Sequence, residues 1–293
     1  MNNLLTEDNF VDWLNNNGAM LITRKISNYD NDTQKYFDNA KFVGITGYDH
    51  IVSYFFNNII QNFKSNIILI TLETDGFDIK KEYIDNPKLL HWFTWNKCVV
   101  SNKVSCIPIG LNGDRHENSL KIFMNSNTKN NKNKLLGINV NVDTNSTRKD
   151  VVNLSQNKWR TFCNYIETIP YKQSYWQESK IEGKIKINVT SEKCYEIMSE
   201  YKFIVSPPGA GYDCHRTWEA LYLGVVPIII KSPINEVFED LPVVIVHDWN
   251  VINENFLIKK FKQISNNLKM KKYNMEKLYL NYWTNLINSK LVQ

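Results

Sequence analysis

The segment "FIVSPPGAGYDCHRTWEALYLGVVPIII", residues 203–230, contains one complete structural unit. Its first apolar run reads as a buried strand, and Pro207–Pro208 ends it because proline gives no N–H to a ladder. Gly209 and Gly211 permit a tight turn without side chains, where backbone approaches a ligand closely. The stretch from Tyr212 reads as a helix that stops at Gly224, a C′ glycine, and a second apolar strand follows. A strand, a turn, a helix and a strand make a βαβ unit of a parallel sheet. Ligands of such sheets sit at the carboxyl ends of strands, which points to the turn and the helix start.

That helix start offers free N–H groups and a partial positive charge, a setting for phosphate. His215 and Arg216 lie in its first turn, where a cation is unfavourable unless an anion is bound, and arginine grips a diphosphate with two N–H groups. Glu219, three residues on, leans to the same side. A carboxylate there accepts from vicinal ribose hydroxyls, as in dinucleotide-binding folds. Arg216 and Glu219 also read as an i,i+3 ion pair on a solvated face, with Trp218 and Leu221 in the core.

Outward from this unit the alternation repeats. Apolar runs at 19–26, 41–46, 66–73, 89–96 and 104–111 read as strands, and 50–63 has helical spacing. The polar, Lys/Asn-rich stretch 118–133 reads as a linker. Beyond it, 134–142 reads as a strand ending in the loop "DTNSTR", 157–167 as a helix, 186–190 as a strand, 191–201 as a helix and 241–249 as a strand. Two Lys-rich amphipathic segments, 254–272 and 275–290, close the series. Strands alternating with helices imply parallel sheets covered on both faces. Two such series joined by a linker imply an α/β chain of two Rossmann-like lobes.

Composition excludes several classes. At 43 % hydrophobic and 13 % aromatic residues the chain supports a sizeable core and is not disordered. A net charge of +5 permits an anionic ligand without demanding nucleic acid. Five cysteines without a CxxC pair read as reduced thiols. The first residues lack the pattern of a signal peptide, and no window of about 18 apolar residues marks a membrane span. A cytoplasmic location is therefore expected. The sequons "NDT" (31–33), "NST" (145–147) and "NVT" (188–190) follow from high Asn content. "DND" (30–32) reads as an Asx-rich turn, and the histidines lack metal-ligand spacing. No metal is expected.

The stretch "SPPGAGYDCHRTWEALYLGVVP" resembles the C-terminal signature of exostosin-like glycosyltransferases and related viral and bacterial sugar transferases. The matching residues are Pro208, Gly209, Gly211, Asp213, Arg216, Glu219, Ala220, Leu221, Gly224 and Pro227. The resemblance covers about 203–249, where "LPVVIVHDW" (241–249) looks like the strand that follows in such proteins. It implies a GT-B-like fold whose parallel sheets face across a cleft. It implies an N-terminal acceptor lobe over 1–128, a nucleotide-sugar lobe over 129–265 and a closing helix, 266–293, packed back on the first lobe. It also implies a metal-independent enzyme with no tightly bound cofactor and a UDP- or GDP-sugar donor. Arg216 would contact the diphosphate and Glu219 the ribose or sugar hydroxyls. Gly209, Gly211 and His215 complete that cradle, and Arg148, on the loop after the second series' first strand, is added as a second phosphate ligand.

A catalytic base belongs at a strand end of the N-terminal lobe. Asp49 with His50 in "GYDHI", Asp75 with Glu73 in "LETDG" and Asp114 in "GLNGDRH" meet that condition, and His50 serves equally as a phosphate or sugar contact. The same residues make a good helix cap (Asp49) and a good turn (Asp75–Gly76). The acceptor is a glycan or another hydroxyl-bearing small molecule. Two alternatives stand beside this: transfer to a hydroxymethylpyrimidine base of DNA, for which the basic segment "IKKFKQISNNLKMKKY" leaves room, and a non-catalytic nucleotide- or sugar-binding protein.

Overall fold

The computed structural model describes residues 3–23, 33–47, 49–76, 78–126, 132–170, 186–189 and 191–291. "DND" lies outside them. Helix α1 (Glu7–Asn16) leads into β1 (Met20–Ile22), and α2 (Thr33–Asn39), β2 (Phe42–Thr46), α3 (Asp49–Tyr54), β3 (Ile67–Leu72), α4 (Lys81–Ile84), β4 (Leu89–Thr94) and β5 (Val104–Cys106) follow. These five strands form one parallel sheet in sequence order. Strand periodicity divides its side chains cleanly. Val43, Ile45, Ile67 and Leu69 pack on Phe37, Val52 and Tyr83 of α2, α3 and α4. Phe42, Ile68, Ile70 and Phe93 pack on Phe10 and Leu14 of α1.

After α5 (Gly113–Asn125), the second series runs β6 (Lys134–Ile138), α6 (Thr147–Gln156), β7 (Cys163–Tyr165), the pair β8 (Glu167–Pro170) and β9 (Lys186–Val189), α7 (Ser191–Ser199), β10 (Tyr201–Val205), α8 (His215–Tyr222), β11 (Val226–Ile230), α9 (Asn235–Phe238) and β12 (Val244–Val246). It closes with α10 (Glu254–Lys269) and α11 (Leu280–Ser289). The second parallel sheet has the order β12-β11-β10-β6-β7. The chain is thus an α/β protein of two Rossmann-like lobes, each on a parallel five-stranded sheet.

Two sequence readings are corrected. The expected linker 118–133 is helical through Asn125, in α5, whose Leu120 is fully buried. The expected helix 157–167 is instead a turn followed by β7, and the helix lies earlier, over Thr147–Gln156. Trp159 and Ile166 mimic one helical face by their spacing, yet Trp159 enters the core under α6 and α10 while Ile166 joins the core on the opposite side. Gly224 ends α8 in the left-handed region, φ 63°, as a C′ glycine requires.

One core cluster runs from the first sheet into the second, joining Phe10, Leu14 and Leu120 to Trp218, Leu221, Trp283 and Ile287. Residues 3–6 thread into this junction. Leu280 N donates to Asn3 O at 3.1 Å and Leu111 N to Leu5 O at 2.8 Å. The Tyr222 hydroxyl accepts from Leu5 N at 2.9 Å and donates to Leu278 O. Gly110 has φ 67°, and a Cβ there would fall 2.2 Å from Leu5 O, so only glycine fits. Among the described residues no helix is long and apolar enough to cross a membrane.

Candidate functional site

In the second sheet β6 comes first in the chain, β7 lies on one side of it and β10 on the other. The strand order therefore reverses between β6 and β10, the place where loops diverge and open α/β sheets bind ligands. The two loops there, 139–146 and 206–214, are stitched by Arg148 in the first turn of α6. Its Nε donates to Pro208 O at 2.9 Å, its Nη1 to Asn141 O at 3.0 Å and its Nη2 to Cys214 Sγ at 3.7 Å. Asn145 Nδ2 adds a bond to Gly209 O at 2.8 Å. A Cβ on Gly209 would meet Arg148 Nη2 at 2.9 Å, and one on Gly211 would meet Asn96 Nδ2 at 2.3 Å. A side chain at either glycine would have to displace one of these groups.

Asn96 belongs to the other lobe, just past β4, and this contact opens a seam where strand ends of the two sheets meet. Asn96, itself at φ 47°, accepts at Oδ1 from Asp213 N at 2.7 Å and donates from Nδ2 to Thr74 O at 2.9 Å. The Asp213 carboxylate accepts from Ile109 N at 3.0 Å and from Trp218 Nε1 at 2.9 Å. Burial pushes that carboxyl up to about 7, against the N–H groups of Ile109, Trp218 and Cys214 that favour its charge. His215 Nδ1 lies 2.8 Å from Gly110 O, and burial lowers the basicity of its ring. Lys97, 7 % exposed, pairs with Glu236 at 2.7 Å across the same seam.

Arg216 and Glu219 are an ion pair, Nη1 to Oε2 at 3.1 Å, but not on a solvated face: the Glu219 side chain is 6 % exposed. Glu219 Oε1 lies 3.6 Å from Nδ1 of His116, in α5, the helix between the two sheets, and that nitrogen lies 3.0 Å from the Tyr195 hydroxyl. Burial alone would raise the Glu219 carboxyl. Arg216, then His116 and His215, outweigh it and hold the group down at about 2. Arg216 Nη1 also points to Cys194 Sγ at 3.7 Å, while Arg216 Nε and Glu219 Oε2 are buried without a hydrogen bond.

The structure thus gathers Gly209, Gly211, His215, Arg216, Glu219 and Arg148 around the start of α8. Asp49 and His50, at the start of α3, and Asp75, in the turn after β3, are exposed at the ends of β2 and β3. The cross-lobe contacts come instead from the ends of β4 and β5. Sequence reasoning missed Asn96, Asn145, His116 and Tyr195. No spacing marks them, because each acquires its role from a residue distant in the chain.

No family model and no curated protein matches this chain. Among solved structures it is similar to the GtfA/B complex at 10 % identity and TM-score 0.45, over 86 % of this chain and 57 % of that one. It is similar to the spinosyn rhamnosyltransferase SpnG complexed with thymidine diphosphate at 7 % identity and TM-score 0.37, over 79 % and 64 %. It is also similar to the UDP-GlcNAc 2-epimerase of Methanocaldococcus jannaschii at 12 % identity and TM-score 0.35, over 76 % and 69 %. The chain spans less than two thirds of the length of the first two.

Proposed function

We propose that this chain is a glycosyltransferase of the GT-B type, related to the exostosin-like enzymes, that uses a nucleotide-sugar donor. The observation that carries the reading is the pair of loops at the β6–β10 reversal, stitched by Arg148 and bordered by the start of α8. In this reading the donor diphosphate lies against Arg148, the Gly209–Gly211 turn, His215 and Arg216, so that arginine replaces a metal as counter-charge. When phosphate draws Arg216 away, Glu219 Oε2 is freed for a ribose or sugar hydroxyl. Residues 129–265 form the donor lobe and 1–128 the acceptor lobe, with Asp49, His50 and Asp75 lining the acceptor side. The donor is a UDP- or GDP-sugar and the acceptor a glycan or other hydroxyl.

The test is a thermal-shift panel of UDP, GDP, CMP, dTDP and their sugars against wild type, Arg148→Ala and Arg216→Ala. A donor at about 100 times its Kd stabilises by roughly 2.7 kcal/mol. The expected result is a shift for one nucleotide that both variants lose, followed by consumption of its sugar derivative. No shift with any member overturns the reading. The internal pairing of Arg216 with Glu219 favours one second reading, a nucleotide-sugar-binding protein without transfer. It predicts the same shift with the ligand recovered unchanged.

A further inference from the structure

We infer that His116 is the proton acceptor of the transfer step, presented by α5 and oriented by Glu219 of α8. This rests on the transferase reading above. His116 sits in the first turn of α5, past the loop in which β5 ends, and so on the carboxyl-end side of the first sheet. Its Nδ1 lies 3.0 Å from the Tyr195 hydroxyl and 3.6 Å from Glu219 Oε1. Its side chain keeps 31 % exposure beside a carboxylate that keeps 6 %. An imidazole held at one nitrogen by a tyrosine hydroxyl, with a buried carboxylate 3.6 Å from that nitrogen and part of the side chain in solvent, is an oriented base. The anion favours a proton on Nδ1, which leaves the lone pair on Nε2.

Glu219 is suited to that task. It stays ionised, held at about 2 against its own burial by Arg216 and the two histidines. Its two oxygens face different partners, Oε1 toward His116 and Oε2 toward Arg216, so a donor that draws Arg216 away leaves the His116 contact in place. Other titratable groups lie around His116, among them Glu192 of α7, which accepts from Ser119 Oγ at 2.6 Å. From α8 come His215 and Arg216, and from α7 Cys194, bonded by Arg216, and Tyr195. On its own helix Glu117 and Lys121 pair with each other at 2.6 Å. Asp49 and Asp75, by contrast, are exposed residues of a helix start and a turn.

The step balances as a single displacement. The acceptor hydroxyl gives its proton to Nε2 while its oxygen bonds the anomeric carbon. The bond from that carbon to the diphosphate oxygen breaks, its electron pair leaves with the nucleoside diphosphate, and the imidazolium returns its proton to solvent. One such displacement inverts the anomeric configuration.

The experiment uses the full chain with UDP-, GDP- and dTDP-hexoses and follows release of nucleoside diphosphate. For His116→Asn, kcat is expected to fall by about 10²–10⁴-fold, with donor Kd changed by less than about 2-fold. Glu219→Gln, which alters a positioning residue, lowers kcat as well, and its loss combined with that of His116→Asn is far from additive. Should the Asn variant melt early, His116→Gly decides: added imidazole restores its rate in proportion to concentration. Turnover by His116→Asn within about 3-fold of wild type overturns this inference and leaves the transferase reading standing. A wild-type chain that consumes none of the donors overturns both.

Discussion

Two carboxylates at the seam respond to pH in opposite directions. Asp213 titrates at about 7 in the folded chain against an ordinary 3.8, because burial penalises its charge. Folding therefore takes up a proton there. Its contribution is full below about pH 3.8 and is lost as pH rises toward 7. Glu219 titrates at about 2 against 4.5, so its contribution is present above 4.5 and lost as pH falls toward 2. Melting curves of wild type and Asp213→Asn between pH 4 and pH 7 isolate the first term. The wild-type midpoint falls across that window and the variant's is flatter. Parallel curves would show that Asp213 does not govern the slope. The amide oxygen can keep the place of Oδ2, which accepts from both Ile109 N and Trp218 Nε1, so the variant removes the titration and keeps those two bonds.

The turn between β10 and α8 is shaped by what presses on it from the other lobe. A Cβ at Gly211 would fall 2.3 Å from Asn96 Nδ2, so Gly211→Ala displaces Asn96 and breaks its bonds to Asp213 N and Thr74 O. The expected loss is about 1–3 kcal/mol in denaturant unfolding. Asn96→Gly in the same background removes the obstruction and suits φ 47°. The double mutant should thus lie at least about 0.5 kcal/mol above additivity, and additive losses would rule out the contact as the cause. Nothing in "PPGAGYD" announces this, since Asn96 lies 117 residues from Asp213. The βαβ unit itself was legible, because apolar runs, prolines and Gly224 act within a few residues. The strands other than β7 and β8 were legible for the same reason. Helix α5 was not, since its apolar Ile122 and Met124 are exposed while polar Glu117 and Ser119 are buried beside Leu120, so no apolar face repeats. The segment 157–167 misled because apolar residues bound for two different cores fell at helical spacing. The local half of the candidate site, Gly209 to Glu219, could be read from the chain. The other half, Asn96, His116 and Tyr195, depends on contacts between residues distant in the chain.

The two lobes are not separable bodies. Trp283 and Ile287 of α11 share a core with Phe10 and Leu14 of α1 and with Trp218 of α8. Trp283, 2 % exposed, also donates from Nε1 to Lys277 O at 2.8 Å. Trp283→Ala is expected to destabilise by about 3–5 kcal/mol and to raise hydrogen exchange in both sheets together. Exchange confined to one sheet would mean that the lobes unfold independently. A fragment of residues 1–128 should likewise lack cooperative unfolding, because α1, which covers Phe42, Ile68, Ile70 and Phe93, would lose its packing against α11.

The pairing of residues 3–6 with 278–280 also sets a timetable for synthesis. All five strands of the first sheet and the α1 that packs on them emerge from the ribosome long before α11 does, and during that interval α1 lacks the cover that α11 gives it. Domains that fold as they emerge escape such exposure; this one does not. The nascent chain must wait with the α11-facing side of α1 open, and it closes only when the last helix arrives.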